Sequence, residues 1–220
     1  MNAMLRHSLH AAALLGTCAL LAVGLLEVTD HVTAPRIERA RQAHARAQLA
    51  VVLPPALHDN DPLGDRIELR APRWLGTAQA LPLRRARRGG ENAALVIEAV
   101  APDGYSGPIR LVIGVTARGD VLAVRILEHQ ETPGLGDAIE AERSDWIERF
   151  RGRALGDPPL PAWRVKKDGG EFDQFAGATV TPRAVVGALR RALQLVERHR
   201  DVLFAAPSGT LMELHDGPAP

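Results

Sequence analysis

The stretch EFDQFAGATVTPRAVVGALRRAL, residues 171–193, holds a small-residue turn followed by the start of a helix. Thr181 is the natural N-cap, and Pro182 suits the first helical position, where its missing N–H costs nothing. Beyond Pro182 the apolar residues recur at the spacing of one helical face, which predicts an amphipathic helix packed on a sheet. These apolar residues are Val185, Ala188, Leu189, Ala192, Leu193 and Val196.

The predicted N-terminus of this helix is a candidate anion site. Free backbone N–H groups and the helix dipole favour a phosphate at such a position. Gly177 and Ala178 are small, so a bulky ligand can approach the backbone closely. On the residues alone, the simpler interpretation is a well-capped helix in which Thr179 and Thr181 have no special role.

Three β-branched runs in the middle of the chain predict strands over residues 94–100, 109–115 and 121–127. A short glycine-containing turn joins the last two, which indicates an antiparallel hairpin. Residues 163–167 predict one more strand. Together with the helix, these elements predict an α+β domain in which helices pack on an antiparallel sheet.

Two segments between the last β-branched run and this helix carry turn and helix-start signals. Residues 131–136 read ETPGLG, in which Pro followed by Gly suits a rigid type II turn. Residues 137–140 have the spacing of a capping box, which predicts a helix there. Trp146, Ile147 and Phe150 follow at helical spacing and are expected in the core.

The N-terminal part predicts a membrane anchor. Residues 11–26 form an uncharged apolar block, and a membrane helix within residues 1–28 is expected to stay uncleaved. Residues 29–56 predict a juxtamembrane helix and linker that Pro54 and Pro55 end. The positive charges on either side of the block leave open which side of the membrane the rest of the chain occupies.

The remainder divides into a main domain and a tail. Residues 57–204 are expected to form the domain, and residues 205–220, rich in Ala, Pro and Gly, are expected to be disordered.

The composition argues against several function classes. The 27 Lys and Arg residues are balanced by 26 Asp and Glu residues, and the basic run at 83–90 lacks aromatic residues for base stacking. We therefore interpret that run as a solvated loop and expect no nucleic-acid partner. The histidines show no metal-ligand spacing, and no phosphate-loop or serine-hydrolase motif is present, so we expect neither a metal site nor catalytic residues.

The residues before the helix resemble a known modification signal. Residues 173–179, DQFAGAT, are similar to the flavinylation signal of bacterial flavoproteins that carry FMN through a phosphoester to threonine, with Ala176 where Ser or Thr is more common. The same chain also contains ETPGLG, KDGGEF at 167–172 and GYSGPI at 104–109. In this order, behind one N-terminal span, these motifs resemble the RnfG family, the G subunits of the Rnf (Rsx) electron transport complex.

The resemblance implies a covalent FMN attached to Thr179 by a separate flavin transferase. It also implies an electron-carrying subunit of an ion-translocating complex, held in the cell inner membrane by one helix. The FMN domain would face the periplasm, and the other Rnf subunits would be its partners. Further candidate cofactor-binding residues are Gly177, Ala178, Thr181, Thr132, Gly134 and Leu135.

Two alternatives remain at this stage. The FMN subunit of the sodium-pumping quinone reductase has a similar attachment signal. A flavin-free periplasmic adaptor that keeps the fold for assembly would also carry these motifs.

Overall fold

The structure is a computed structural model, and it describes residues 15–17, 19–20, 22–27, 29, 31, 33–34, 46–47 and 49–214. The chain divides into two compact units, Met1–Ala47 and Gln48–Pro220. In the first unit the described residues are helical. Much of the expected anchor and of the expected juxtamembrane helix lies outside the described residues. Among those that are described, no helix is both long enough and apolar enough to cross a membrane.

The second unit is built on one six-stranded sheet with the strand order β5-β4-β3-β2-β1-β6. The strands are β1 (Arg66–Arg70), β2 (Leu81–Arg88), β3 (Glu91–Ala101), β4 (Ile109–Thr116), β5 (Val121–Glu128) and β6 (Leu211–Glu213). The three strands predicted from β-branched runs are confirmed as β3, β4 and β5. Strands β1 to β5 pair antiparallel with their neighbours, as expected.

The sixth strand departs from the prediction in two ways. β6 pairs parallel with β1, Leu69 lying opposite Met212, so the sheet is mixed rather than purely antiparallel. Residues 205–214, expected in a disordered tail, are ordered into the fold: Ala205 ends the long helix and Leu211–Glu213 completes the sheet. β6 has only three residues, too few to show an alternating apolar pattern, so the composition of the tail did not indicate a strand.

The basic run at residues 83–90 is not a solvated loop, because most of it belongs to strand β2. Arg85 is 1% exposed and donates from Nε to Asp65 at 2.8 Å. Its other donors reach the backbone carbonyls of Leu203 and Phe204 and the hydroxyl of Ser208. A buried cation thus meets the carbonyl end of the long helix, where the helix dipole favours positive charge.

Besides the helical residues 49–52, the second unit contains the helices α1 (Pro72–Leu75) and α2 (Val180–Ala205). The apolar face predicted for α2 is buried against one face of the sheet, with Val185, Leu189 and Val196 at 1% exposure or less. The expected core position of Trp146 and Phe150 is confirmed in the same cluster.

Two predicted elements take other forms. The capping box at residues 137–140 does not open an α-helix; it forms a 3-10 turn, Asp137–Ile139, with no side-chain cap. Residues 163–167 are not a strand: a 3-10 turn at Leu160–Ala162 precedes them and another at Lys166–Asp168 includes the last two. One isolated bridge, between Val165 and Phe172, is the only pairing of that segment in the described chain.

On the opposite face of the sheet, residues 49–53 pack against the strands. Leu49, Val52 and Leu53 are buried there in a second apolar cluster with side chains of β2 to β5. Gly114 makes this approach possible, because a Cβ atom at that position would lie 1.9 Å from the carbonyl oxygen of Val52. The segment before Pro54 is therefore seated directly on β4.

We expect Gly114→Ala to destabilise the domain, since neither backbone can move without disturbing the sheet; overpacking of this kind costs about 1–3 kcal/mol. Gly64→Ala is the matched control, because its Cβ would make only ordinary contacts at 3.6 Å. Thermal unfolding followed by circular dichroism measures both. Equal midpoints for the two variants would contradict the close contact.

Candidate functional site

Thr179, the residue that the sequence singles out, is the N-cap of α2. Its backbone is helical, with φ −71° and ψ −27°, and its side chain makes no capping hydrogen bond within the described residues. Thr179 is half-buried. Its hydroxyl is therefore not committed to holding the helix start.

The prediction that Thr181 is the N-cap is wrong, because α2 begins two residues earlier than expected. Pro182 is accommodated in the first turn, where a backbone N–H has no intrahelical acceptor. Thr181 is fully buried, and its hydroxyl donates to the Oε2 atom of Glu131. This contact joins the first turn of α2 to the beginning of the ETPGLG segment.

Glu131 begins the ETPGLG turn and contacts both the loop at residues 104–109 and the start of α2. Its carboxylate is 4% exposed and also accepts a hydrogen bond from the backbone N–H of Ser106, at 3.0 Å from Oε1. Close packing surrounds it: a Cβ atom at Gly136 would lie 2.8 Å from the Cβ of Glu131, and one at Gly104 would lie 3.0 Å from Oε1. Both glycines therefore leave the space that this buried carboxylate occupies.

The sequence did not mark Glu131 as a functional residue. A single glutamate at the start of a turn carries no spacing signal, and its partners come from segments 25 and 50 residues away. Only the fold brings the loop at 104–107, the turn at 131–136 and the start of α2 together.

The ETPGLG turn is rigid, as its sequence predicts. The backbone N–H groups of Leu135 and Gly136 donate to the carbonyl of Thr132, at 3.1 and 3.0 Å. Gly134 has φ +80°, and its N–H donates to Asp137 Oδ1 at 2.8 Å. Asp137, which was predicted to cap a helix, thus stabilises the ETPGLG turn instead.

An exposed apolar patch adjoins this turn. Leu135 is 48% exposed and Val180, next to Thr179, is 37% exposed. The loop that contacts Glu131 adds Tyr105, which is 72% exposed. A Cβ atom at Gly177 would lie 3.8 Å from Leu135 Cδ2, so the turn and the Thr179 loop are neighbours. The free hydroxyl and the exposed apolar side chains fit a phosphate-bearing cofactor with a flat apolar ring.

The candidate residues differ in their relation to this patch. Gly177, Thr132 and Gly134 are exposed, and Ala178 is half-buried. Gly177 has φ +77°, which a larger residue rarely adopts, so its glycine is explained by backbone conformation. Thr181 faces the buried carboxylate of Glu131, and the structure places it beneath the surface.

The loop before Thr179 is held by its first residue, Asp173. The Asp173 carboxylate pairs with Lys166 at 2.6 Å and with Arg149, and its backbone carbonyl accepts from Trp146 Nε1 at 2.8 Å. Phe175 packs edge-on against the same Trp146 ring, with centroids 5.1 Å apart. Lys166, which lies in the segment predicted to be a strand, thus has a defined partner in Asp173.

The hydrogen bond from Lys166 lowers the pKa of the Asp173 carboxyl, and the charges of Lys166 and Arg149 add to this lowering against a smaller opposing effect of burial. A depressed pKa means that this ion pair contributes to stability above the pKa of the unfolded chain. The contribution is lost as pH falls through the lower pKa of the folded state.

We expect Asp173 to titrate below the roughly 3.9 of an unperturbed aspartate. Lys166→Gln should raise that pKa, because the principal hydrogen bond is removed. Lys167→Gln is the matched control and should leave that pKa unchanged, since the groups that lower the pKa of Asp173 are Lys166 and Arg149. A side-chain carboxyl NMR titration measures all three proteins, and equal shifts in both variants would exclude the specific contact.

We expect Thr181→Val to lower the free energy of unfolding by about 1–3 kcal/mol, because it removes the donor to the Oε2 atom of the buried Glu131 carboxylate. Thr179→Val, two residues away, should be nearly neutral, since that hydroxyl caps nothing. Urea unfolding of both variants provides the comparison. A neutral Thr181→Val would show that the contact with Glu131 adds no stability.

The class of domain follows from a match to protein-family models. A family described as "FMN-binding domain" matches residues 104–194, which span all the segments that meet around Glu131 and Thr179. A second family, described as "RnfG N-terminal region", matches residues 1–52. The site described above therefore lies in an FMN-binding domain.

Relatives along nearly the whole chain identify the family. The G subunit of the ion-translocating oxidoreductase complex from Pseudomonas aeruginosa (strain UCBPP-PA14) is 50% identical over 207 residues, covering 93% of this chain and 96% of the relative. The one from Shewanella piezotolerans (strain WP3 / JCM 13877) is 42% identical, covering 93% and 97%. This chain belongs to the family of G subunits of ion-translocating oxidoreductase complexes, which confirms the predicted resemblance.

Among solved structures, the crystal structure of Shewanella oneidensis NqrC is similar with a TM-score of 0.44 and 23% identity. The similarity covers 57% of this chain and 63% of that one.

Proposed function

We propose that this chain is the electron-carrying flavoprotein subunit of an Rnf-type ion-translocating complex, and that its FMN is esterified to Thr179. The proposal rests on the uncapped hydroxyl of Thr179 and on its position at the start of α2. Its hydroxyl is free of any capping bond, and it stands at the start of a 26-residue helix beside exposed apolar side chains. The match to an FMN-binding domain over the same residues supports the assignment.

The attachment is a substitution at phosphorus. A bond forms between Thr179 Oγ1 and the phosphorus of a flavin nucleotide, the bond from phosphorus to the displaced group breaks, and the hydroxyl proton leaves with that group. The net gain is FMN less one water molecule. We assign the step to a separate flavin transferase, which supplies the nucleotide.

Residues of this chain position the group. The first N–H groups of α2 lack intrahelical acceptors and the helix dipole is positive at this end, so a phosphodiester on Thr179 is stabilised there. Leu135, Val180 and Tyr105 offer apolar surface that excludes water from one face of a ring. FMN, when bound, accepts electrons singly or in pairs.

We place the FMN domain in the periplasm, held at the cell inner membrane through the N-terminal segment. Other subunits of the complex would be its partners. The assignment rests on family membership and on the apolar block at residues 11–26. Both the membrane segment and the side on which the domain lies are proposals.

We expect Thr179→Val to lose all covalent flavin while remaining folded, because the only proposed attachment atom is gone. The chain and its variants are co-expressed with a flavin transferase, and intact-mass spectra with peptide mapping across residues 171–190 report the modification. Thr181→Val is the matched control, which should keep the flavin although it is less stable. The two variants therefore distinguish loss of the attachment atom from loss of stability.

Covalent FMN on Thr179→Val would overturn the assignment to Thr179. An unmodified wild-type chain, with the transferase active on another substrate in the same cells, would mean that Ala176 prevents recognition or that the subunit is a flavin-free adaptor. Replacing Ala176 by Ser distinguishes these two outcomes, because it restores the more common residue of the signal.

A further inference from the structure

A groove of about 350 Å³ lies along α2, and neither Thr179 nor the ETPGLG turn lines it. Its charged lining consists of four arginines and two aspartates: Arg164, Arg183, Arg190, Arg191, Asp103 and Asp168. Counting four positive and two negative charges gives the groove a net charge of +2. A chain whose overall charge is nearly balanced therefore concentrates positive charge here.

Of the four arginines in the groove, only Arg183 forms an ion pair with one of the two aspartates. Asp168 is bound by both nitrogens of the Arg183 fork, at 2.6 and 2.8 Å. Arg164 and Arg190 form no ion pair or side-chain hydrogen bond with any of residues 49–214. Two guanidinium groups thus line the groove with all their donors available.

Arg191 is constrained in a different way. It is half-buried, and its closest acceptor is the carbonyl of Val100, 3.4 Å from Nη2. Its Nε atom is buried and has no hydrogen-bond partner in the part of the chain that the structure describes. Burial lowers the pKa of Arg191 and the charge of Arg190 lowers it further, whereas Asp103 opposes both effects. An anion in the groove would relieve this repulsion.

Gly187 keeps the groove open. It lies inside α2, four residues after Arg183, on the helix face that also carries Arg190 and Arg191. A Cβ atom there would make only an ordinary contact, 3.6 Å from Arg191 Nη1, so packing within the chain does not require glycine. A glycine inside a helix costs about 1 kcal/mol relative to alanine. The missing side chain instead leaves room beside the guanidinium groups.

We propose that this groove is a binding site for a phosphate ester. The guanidinium group of an arginine can form two parallel hydrogen bonds to the oxygens of a phosphate. A phosphomonoester at neutral pH carries close to two negative charges, which would balance the net charge of +2 in the groove. The groove falls within the size range of small-ligand sites, roughly 300–1,000 Å³. Trp163 and Val186 also line the groove but are each 1% exposed, so the charged side chains provide the contacts with the ester.

Phosphate esters occur as soluble phosphomonoesters and also in lipid headgroups, where the phosphate is a diester with a single negative charge. The first probe is glycerol 3-phosphate, titrated by calorimetry into the full-length chain in a neutral detergent, with glycerol as the uncharged control. The second is the same chain mixed with vesicles of phosphatidylglycerol or of phosphatidylcholine. Saturable binding of glycerol 3-phosphate indicates a soluble ester, and binding only to phosphatidylglycerol vesicles indicates a headgroup.

The deciding variant is Arg164→Gln combined with Arg190→Gln, which removes two charges without breaking any ion pair among the described residues. We expect it to weaken binding at least about tenfold, in line with the loss of two charge-assisted hydrogen bonds. Arg88→Gln combined with Arg118→Gln is the matched control, since it removes equal charge from exposed positions outside the groove. That control should bind as the wild-type chain does.

Three results would overturn the proposal. The first is that neither probe binds saturably. The second is that both double variants bind equally weakly, and the third is that a glutamate-rich peptide binds more tightly than either phosphate probe. The last result would identify an acidic protein segment as the occupant. All measurements use the unmodified chain, so their outcome does not depend on flavin attachment at Thr179.

Discussion

Helix α2 is fixed to the sheet along its length and at both ends, and the geometry of the candidate site depends on this. Its apolar face is buried in the main core. At its N-terminus the hydroxyl of Thr181 reaches the buried carboxylate of Glu131. At its C-terminus the guanidinium of Arg85 binds the carbonyls that have no further helical N–H to accept from. With both ends held, Thr179 has a set position relative to the ETPGLG turn.

Elements with a strong repeating pattern could be predicted from the sequence. Strands β3 to β5 are indicated by β-branched runs, and the buried face of α2 follows from its apolar spacing. Strand β2 could not be found in this way. Its residues LPLRRARR place arginines where a strand pattern would have apolar side chains, and Arg85 is tolerated in the core because Asp65 and the helix carbonyls satisfy it. Such compensation is visible only in three dimensions.

In the candidate site, too, the local motif could be predicted from the sequence, whereas the long-range contacts could not. The short signal around Thr179 marks the residue that ends up as N-cap with an uncommitted hydroxyl. The supporting contacts are long-range pairings of single residues: Glu131 with Thr181, and Asp173 with Lys166 and Arg149. No periodicity encodes pairings of this kind. The predicted start of α2 is two residues late because proline is accepted anywhere in the first helical turn, so Pro182 alone does not fix where the helix begins.

The parallel pairing of β6 with β1 has a practical consequence for how the domain can be shortened. A chain cut at residue 204, where the sequence suggests that the domain ends, loses β6 together with the hydroxyl of Ser208 that binds Arg85. Strand β1 would then become the sheet edge, with a row of open N–H and C=O groups that invites intermolecular association. A cut after Leu214 keeps β1 paired and leaves the three-residue β6 as the edge, and so short an edge strand offers few open groups for association.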